Sequence, residues 1–361
     1  MEEHGESCKP MPSTYIKGFH DEQAVSNIEY RPLGNTGLQV SVLSFGASSL
    51  GSVFRKTDDL ESVQVVHHAL KSGINLIDTA PWYGHGKSEN VLGQALKGVP
   101  RESYILTTKV GRYLPEVEKM FDFSAERVTR SVDESLERLG LSYIDIIQVH
   151  DMEFADSLDI IINETLPALQ KVKEQGKVKF IGITGYPLQN FRTVIEKSKV
   201  PIDTVLTYCR CTMHDTELLE YLPFLKEHGI GVINASPISM GLLSHRGPPA
   251  WHPASKETRE KCRQAAEYCQ AHGVDISKLA MHFTLSVQSI PTTLVSTASL
   301  KNLNKNIASV NQKLTTNEEQ ALSHVINNIF KPCGNMSWEG IEVAQHREKL
   351  KSIKVVHINL S

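Results

Sequence analysis

Eight short apolar runs, separated by helix-patterned stretches, restrict the fold of this chain more than any other feature. The runs occupy residues 43–45, 75–78, 104–109, 143–150, 178–184, 204–208, 231–235 and 293–295. Between them lie amphipathic stretches at 58–72, 88–96, 124–139, 160–175, 188–197 and 217–228, and a pair at 257–271 and 275–287 precedes the last run. From Ser124 onward, Val128, Val132, Leu136 and Leu139 recur at the spacing of one helical face. Gly73, Gly140, Gly176 and Gly229 stand where glycine ends a helix, and Ser88 reads as the N-cap of the second. A strand followed by helix, eight times over, predicts a closed (β/α)8 TIM barrel of parallel strands. An Asn-Thr-Gly turn within 30–41 predicts a hairpin ahead of the barrel. Residues 242–256, rich in Gly, Pro and Ser, predict a long loop after the seventh strand, and a helix at 316–330 lies beyond the barrel. The expected organisation is a mobile N-terminal tail at 1–27, a barrel domain at 28–340 and a C-terminal tail at 341–361.

A barrel of this kind takes about 250 residues, so 361 residues accommodate one. The net charge of −3 gives no electrostatic basis for binding nucleic acid or an anionic membrane. No window approaches the length of an apolar membrane span, and residues 1–23 lack the apolar core of a signal peptide. Cys8, Cys209, Cys211, Cys262, Cys269 and Cys333 form no C-x-x-C pair, so they read as reduced thiols of a cytosolic protein.

Three successive runs end on reactive side chains. The second ends on Asp78, with Tyr83 close behind between Trp82 and Gly84; the third ends on Lys109 and the fourth on His150. In a parallel barrel those strand ends share one rim, where active sites form. Taken singly, each has an ordinary reading: a loop cap, a packing tyrosine, a hydrogen-bonded core histidine. Together they fit the transfer of a hydride and a proton between an alcohol and a carbonyl, which needs a positioned proton donor and a group holding the oxygen. Tyr83 would carry the proton, Lys109 would lower its pKa from near 10, Asp78 would pair the lysine, and His150 would hydrogen-bond the carbonyl oxygen. Trp82, and Trp251 in the long loop, offer flat walls suited to the C–H face of a sugar ring.

Asp78-Thr-Ala-Pro-Trp-Tyr83-Gly84 with Ser88-Glu89 and Leu92-Gly93, then Thr108-Lys109-Val-Gly, then Gln148-Val-His150-Asp, resembles the aldo-keto reductases over residues 30–338. Gly182-Ile-Thr-Gly185, Ala235-Ser-Pro237 with Met240-Gly-Leu-Leu243, the Gly-Pro-Pro-Ala-Trp-His-Pro run from Gly247, and Asn335-Met-Ser-Trp338 are similar to the branch holding L-galactose and L-fucose (D-threo-aldose 1-) dehydrogenases. The resemblance implies an NAD(P)-dependent oxidoreductase with Tyr83 as acid/base and Asp78, Lys109 and His150 in support. Its substrate would be a small sugar or carbonyl compound, the expected reaction being oxidation of an aldose at C1. It also implies a nicotinamide dinucleotide extended across the barrel mouth without a G-x-G-x-x-G loop.

Thr184 stands where many members of that family have a serine facing the carboxamide, but Gly185 replaces the usual asparagine, Leu206 a glutamine, and Ala235 a tyrosine that stacks on the ring. Ser236, Met240 and Leu242 fall on the loop expected to pass the pyrophosphate by backbone N–H groups. Ser296, Thr297 and Ser299 open a helix whose N-terminus would receive a phosphate, Ser299 also suiting an N-cap, and Asn306 matches the asparagine that contacts adenine. Ser296 and Asn302 replace the Lys and Arg of NADP(H)-preferring members, so NAD(H) is favoured over NADP(H). No metal is implied, and the expected state is a monomer or weak homo-oligomer.

A metal-dependent hydrolase would show H-x-H or clustered carboxylates at strand ends, whereas His67-His68 lies inside a helix. A broad-specificity aldehyde or ketone reductase stays open, as does a cofactor-binding regulatory subunit without turnover, because fold alone does not decide between them.

Overall fold

In a computed structural model describing residues 10–360, β1 (Tyr30–Pro32) and β2 (Gln39–Ser41) form the antiparallel hairpin. The barrel then follows as β3 (Leu43–Gly46), β4 (Leu76–Asp78), β5 (Ile105–Val110), β6 (Ile144–Val149), β7 (Val178–Thr184), β8 (Thr204–Tyr208), β9 (Gly231–Ala235) and β10 (Thr292–Ser296). Each strand is parallel to its neighbours, and β10 pairs with both β9 and β3 to close the ring. All eight runs marked in the sequence are strands, with ends shifted by a residue or so. They are apolar on both faces because one side faces the barrel interior and the other is covered by helices.

Inside the barrel, Leu76, Ile105, Ile146, Leu206, Ile233 and Leu294 pack together with Leu33 and Val40 of the hairpin. The hairpin therefore plugs the N-terminal end. It comes so close that a Cβ on Gly34, where φ is +54°, would lie 2.3 Å from the backbone nitrogen of Gly231. Beside it, the Asn35 N–H donates to the carbonyl of Gly229 at 2.7 Å. With this end filled by side chains, a ligand reaches the interior from the opposite rim.

The described part of the expected N-terminal tail is packed rather than loose. Helix Glu22–Ser26 is capped by Asp21, Val25 is buried, and Asn75 Nδ2 donates to buried Thr14 at 3.0 Å. Its few apolar residues carry no periodicity, so the sequence pattern does not reveal it; residues 1–9, with Cys8, lie outside the described part. The expected C-terminal tail likewise contains helix Ile341–Leu360. The second barrel helix, Lys87–Ala95, is preceded by Gly86 and not capped by Ser88. Ser88 is buried and donates to the carbonyl of Ala47 at 2.7 Å, a tertiary bond that outweighs capping. Among the described residues, no helix is long and apolar enough to cross a membrane.

Gly34→Ala tests the plug, because it combines a left-handed backbone with overlap against β9. A loss of about 2–5 kcal/mol in chemical denaturation is expected, and a loss below about 0.5 kcal/mol would show that the hairpin can move aside.

Candidate active site

Strand register assembles the site. Parallel pairing sets Gly46 beside Asp78, Asp78 beside Thr107, and Lys109 beside Gln148. Because side chains alternate along a strand, Thr107 and Lys109 share the inner face. Thr108 between them turns outward and donates to Glu89 Oε1 at 2.6 Å, and Glu89 pairs with Arg138 at 2.7 Å.

Lys109, only 1% exposed, donates from Nζ to Asp78 Oδ1 at 2.5 Å, to the Thr79 carbonyl at 2.9 Å and to Tyr83 Oη at 3.2 Å. The other oxygen of Asp78 accepts from Thr107 Oγ1 at 2.8 Å and Gln148 Nε2 at 3.0 Å. The ammonium thus uses all its donors and the carboxylate both its oxygens. The sequence motifs give Thr107 and Gln148 no role of their own, yet each lies two residues before a residue singled out, and so on the same face of the chain.

Tyr83 sits on a loop pressed against the loop after β3. A Cβ on Gly84, where φ is +66°, would lie 2.2 Å from the Gly51 carbonyl oxygen, and one on Gly51 would lie 2.4 Å from that of Tyr83. The phenol ring meets His150 edge-on, with centroids 5.9 Å apart. All four residues expected to carry the chemistry therefore converge.

Their protonation differs in one respect from the expectation. Burial pushes the Tyr83 phenol above its usual value, further than the Lys109 charge pulls it down. Burial also works against the charged Lys109, but Asp78 and Tyr83 outweigh it and the ammonium is held above its ordinary range. Burial pushes His150 down to about 3, so its imidazole is neutral. A neutral phenol beside a fixed cation, facing a neutral imidazole, can donate protons to an oxygen held between them.

Around this centre, Arg112 pairs with Asp151 at 2.6 Å and stacks over Trp82, its guanidinium carbon 4.2 Å from the ring centroid. Thr184 accepts from the Asp151 N–H at 2.9 Å. Where the sequence has Gly185, a Cβ would lie 2.9 Å from Glu153 Oε2, an atom shut off from solvent without a hydrogen-bond partner. The C-terminal helix borders the same rim. Tyr208 donates to Glu342 at 3.2 Å, and the His346 ring packs edge-on against Phe121 and Phe154. None of Arg112, Asp151, Glu153, Tyr208, Glu342 or His346 was singled out from the sequence, since no local pattern links residues so far apart.

The other expected contacts are more dispersed. Trp251 is 56% exposed and stacks on Phe54 in the loop after β3; no described contact joins it to Tyr83 or Trp82. The N–H groups of Ser236 and Leu242 already donate to the carbonyls of Leu294 and Ser239, and the Leu242 side chain is buried, so those two N–H groups are paired within the protein. Met240 adopts a left-handed backbone with φ +50°. Ser296 Oγ donates to Ser49 Oγ at 2.8 Å, while Thr297 Oγ1 accepts from the Ser299 N–H at 3.1 Å. Ser299 precedes helix Leu300–Asn311 but its side chain makes no capping bond. Asn306 lies half-buried on that helix.

The chain is similar to known proteins over most of its length. A model of the Aldo/keto reductase family matches residues 42–327. The chain is 46% identical to an L-galactose dehydrogenase of Arabidopsis thaliana, over 87% of this chain and 98% of that protein. It is 35% identical to a D-arabinose 1-dehydrogenase of Saccharomyces cerevisiae, over 83% and 93%. Among solved structures, an aldo-keto reductase from Bacillus halodurans in its holo form superposes with a TM-score of 0.68 at 28% identity, covering 82% of this chain and 96% of its own.

The neutral His150 has a consequence for stability. In the unfolded chain it titrates near 6.5, so below that pH the unfolded state takes up a proton that the native state lacks, and stability falls on acidification. His150→Gln removes this contribution. Relative to that variant, wild type is expected to lose about 3 kcal/mol between pH 6.5 and pH 4, at roughly 1.4 kcal/mol per unit. A difference in denaturation free energy that does not change with pH would mean that the native imidazole is charged.

Proposed function

The chain belongs to the Aldo/keto reductase family of NAD(P)-dependent oxidoreductases, and on that premise we propose that it is a cytosolic aldose 1-dehydrogenase that oxidises the C1 hydroxyl of an aldose such as L-galactose or L-fucose to the lactone, using NAD(H) in preference to NADP(H). The observation that carries this reading is the Lys109 ammonium, held by Asp78 and placed 3.2 Å from the Tyr83 hydroxyl.

The residues present fit a nicotinamide dinucleotide. Helix Leu300–Asn311 begins without a side-chain cap, leaving its first N–H groups for a phosphate. Ser296 and Asn302 bring no cation to an additional 2′-phosphate. When bound, the nicotinamide supplies or accepts the hydride.

The chain's own residues handle the proton. In oxidation the C1 hydroxyl proton passes to the ionised Tyr83 oxygen, whose negative charge Lys109 compensates. In reduction the neutral phenol returns that proton to the developing alkoxide. His150 donates a hydrogen bond to the same oxygen and orients it. Asp78 touches neither; it keeps Lys109 charged and in place, and Thr107 and Gln148 keep Asp78 oriented.

Tyr83→Phe is expected to lower the rate of L-galactose oxidation at least about a thousandfold, roughly 4 kcal/mol, while the NADH dissociation constant measured by fluorescence stays the same. Retention of more than about a tenth of wild-type turnover would remove Tyr83 from its role. If the wild-type protein reduces simple aldehydes but oxidises no aldose, the broad-specificity reductase reading replaces this one.

Because the Tyr83 pKa is raised, the oxidising form is scarce at neutral pH. Aldose oxidation is therefore expected to accelerate as pH rises through the alkaline range, whereas carbonyl reduction, which uses the protonated phenol, is not. Parallel pH–rate profiles in the two directions would contradict Tyr83 as the shared acid and base.

A further inference from the structure

We infer that Asp151 and Arg112 form a hydroxyl-reading subsite on the rim, which binds adjacent hydroxyl groups of an aldose ring while Trp82 carries the C–H face. The inference rests on the aldose dehydrogenase reading and extends it to residues with no part in the proton transfer.

Position comes first. Asp151 follows His150 directly, and its Oδ2 lies 3.7 Å from His150 Nε2. Arg112 lies just beyond β5, which carries Lys109, and stacks over the ring of Trp82, the neighbour of Tyr83. A molecule with its C1 oxygen between Tyr83 and His150 therefore has its next substituents beside this pair.

The pair is also under-used. Arginine presents several N–H donors in a fixed fork. Among the described residues the Arg112 side chain makes one hydrogen bond, from one terminal nitrogen to Asp151, and it stays partly exposed, so its outer N–H groups keep donor capacity. Phe121 and Phe154 also lie under its guanidinium, with centroids 5.2 and 5.7 Å away, and offer no acceptor atoms. Asp151 accepts from Arg112 through one oxygen only, so its other oxygen retains acceptor capacity.

The backbone of Asp151 is left-handed, with φ +48°, and is pinned by its N–H bond to Thr184. Aspartate tolerates that conformation at modest cost, and such positions collect at ligand sites.

The chemistry matches one class of ligand. Neighbouring hydroxyls on a sugar ring both donate and accept, complementing a carboxylate beside a guanidinium, and the ring's C–H face packs on an indole. An aldehyde without hydroxyls would leave these polar groups unmatched, the circumstance in which a site discriminates most strongly.

The test uses the full-length protein, L-galactose and its 2-, 3- and 4-monodeoxy analogues. Wild type is expected to lose roughly 10- to 100-fold in kcat/KM on at least one analogue, the range for a hydrogen bond to a charged group. Asp151→Asn keeps the shape and tolerates the same backbone. It should lose a similar factor on L-galactose, mainly through KM, and nothing further on the analogue lacking the hydroxyl that Asp151 reads. Arg112→Lys, which keeps charge but loses the fork, should behave likewise, and the NADH dissociation constant should stay the same in both. Equal losses on every sugar, carried by kcat, would assign Asp151 and Arg112 a merely structural role and overturn the subsite. Unchanged KM values in both variants would overturn it while leaving the aldose reading intact. A wild-type protein that oxidises no aldose overturns both.

Discussion

A single buried ammonium organises the mouth of this barrel. Stripping water from Lys109 costs several kcal/mol, and the protein offsets that cost only by surrounding Nζ with Asp78, the Thr79 carbonyl and Tyr83. Asp78 ends β4, Thr79 follows it and Tyr83 stands on the loop beyond, so these bonds fix β5 against β4 and the loop that leaves it. The carboxylate needs its own second layer, which Thr107 and Gln148 provide from β5 and β6. An unmet partner anywhere in this series would leave a buried charge exposed to low dielectric. The geometry of the reacting groups and the integrity of the rim are therefore the same problem, solved by the same bonds.

The barrel was legible in the sequence because its signals are local. Runs of apolar residues, helical spacing such as Val128, Val132 and Leu136, and glycine stops such as Gly140 depend only on near neighbours. The four residues expected to carry the chemistry were legible for a related reason: strands placed in order deliver their last residues to one rim. Ser88 shows where locality fails. Its position is that of a helix cap, but its hydroxyl serves the carbonyl of Ala47, far away in sequence.

The less legible part of the site is the part built between distant segments. Arg112 and Asp151 meet only because β5 and β6 are neighbours, and Glu342 reaches Tyr208 only because the chain returns to the rim after the barrel is complete. The lowering of the Tyr83 pKa by a nearby lysine is correct as a contribution, but burial is larger, and burial is a property of the whole assembly. Trp251, which the motif offers to the substrate, has Phe54 and the adjacent His252 as its described ring partners, and the pairing with Phe54 cannot be read from local spacing.

The position of helix Ile341–Leu360 has a consequence for how the protein is made. Its residues leave the ribosome after all eight strands, and domains generally fold as units while synthesis proceeds. The barrel, its hairpin plug and the Lys109 ion pair are all encoded before Ile341 is added. Glu342 and His346 therefore join a rim whose other parts are already specified. Loss of this helix would therefore uncover Tyr208, Phe121 and Phe154 at the entrance.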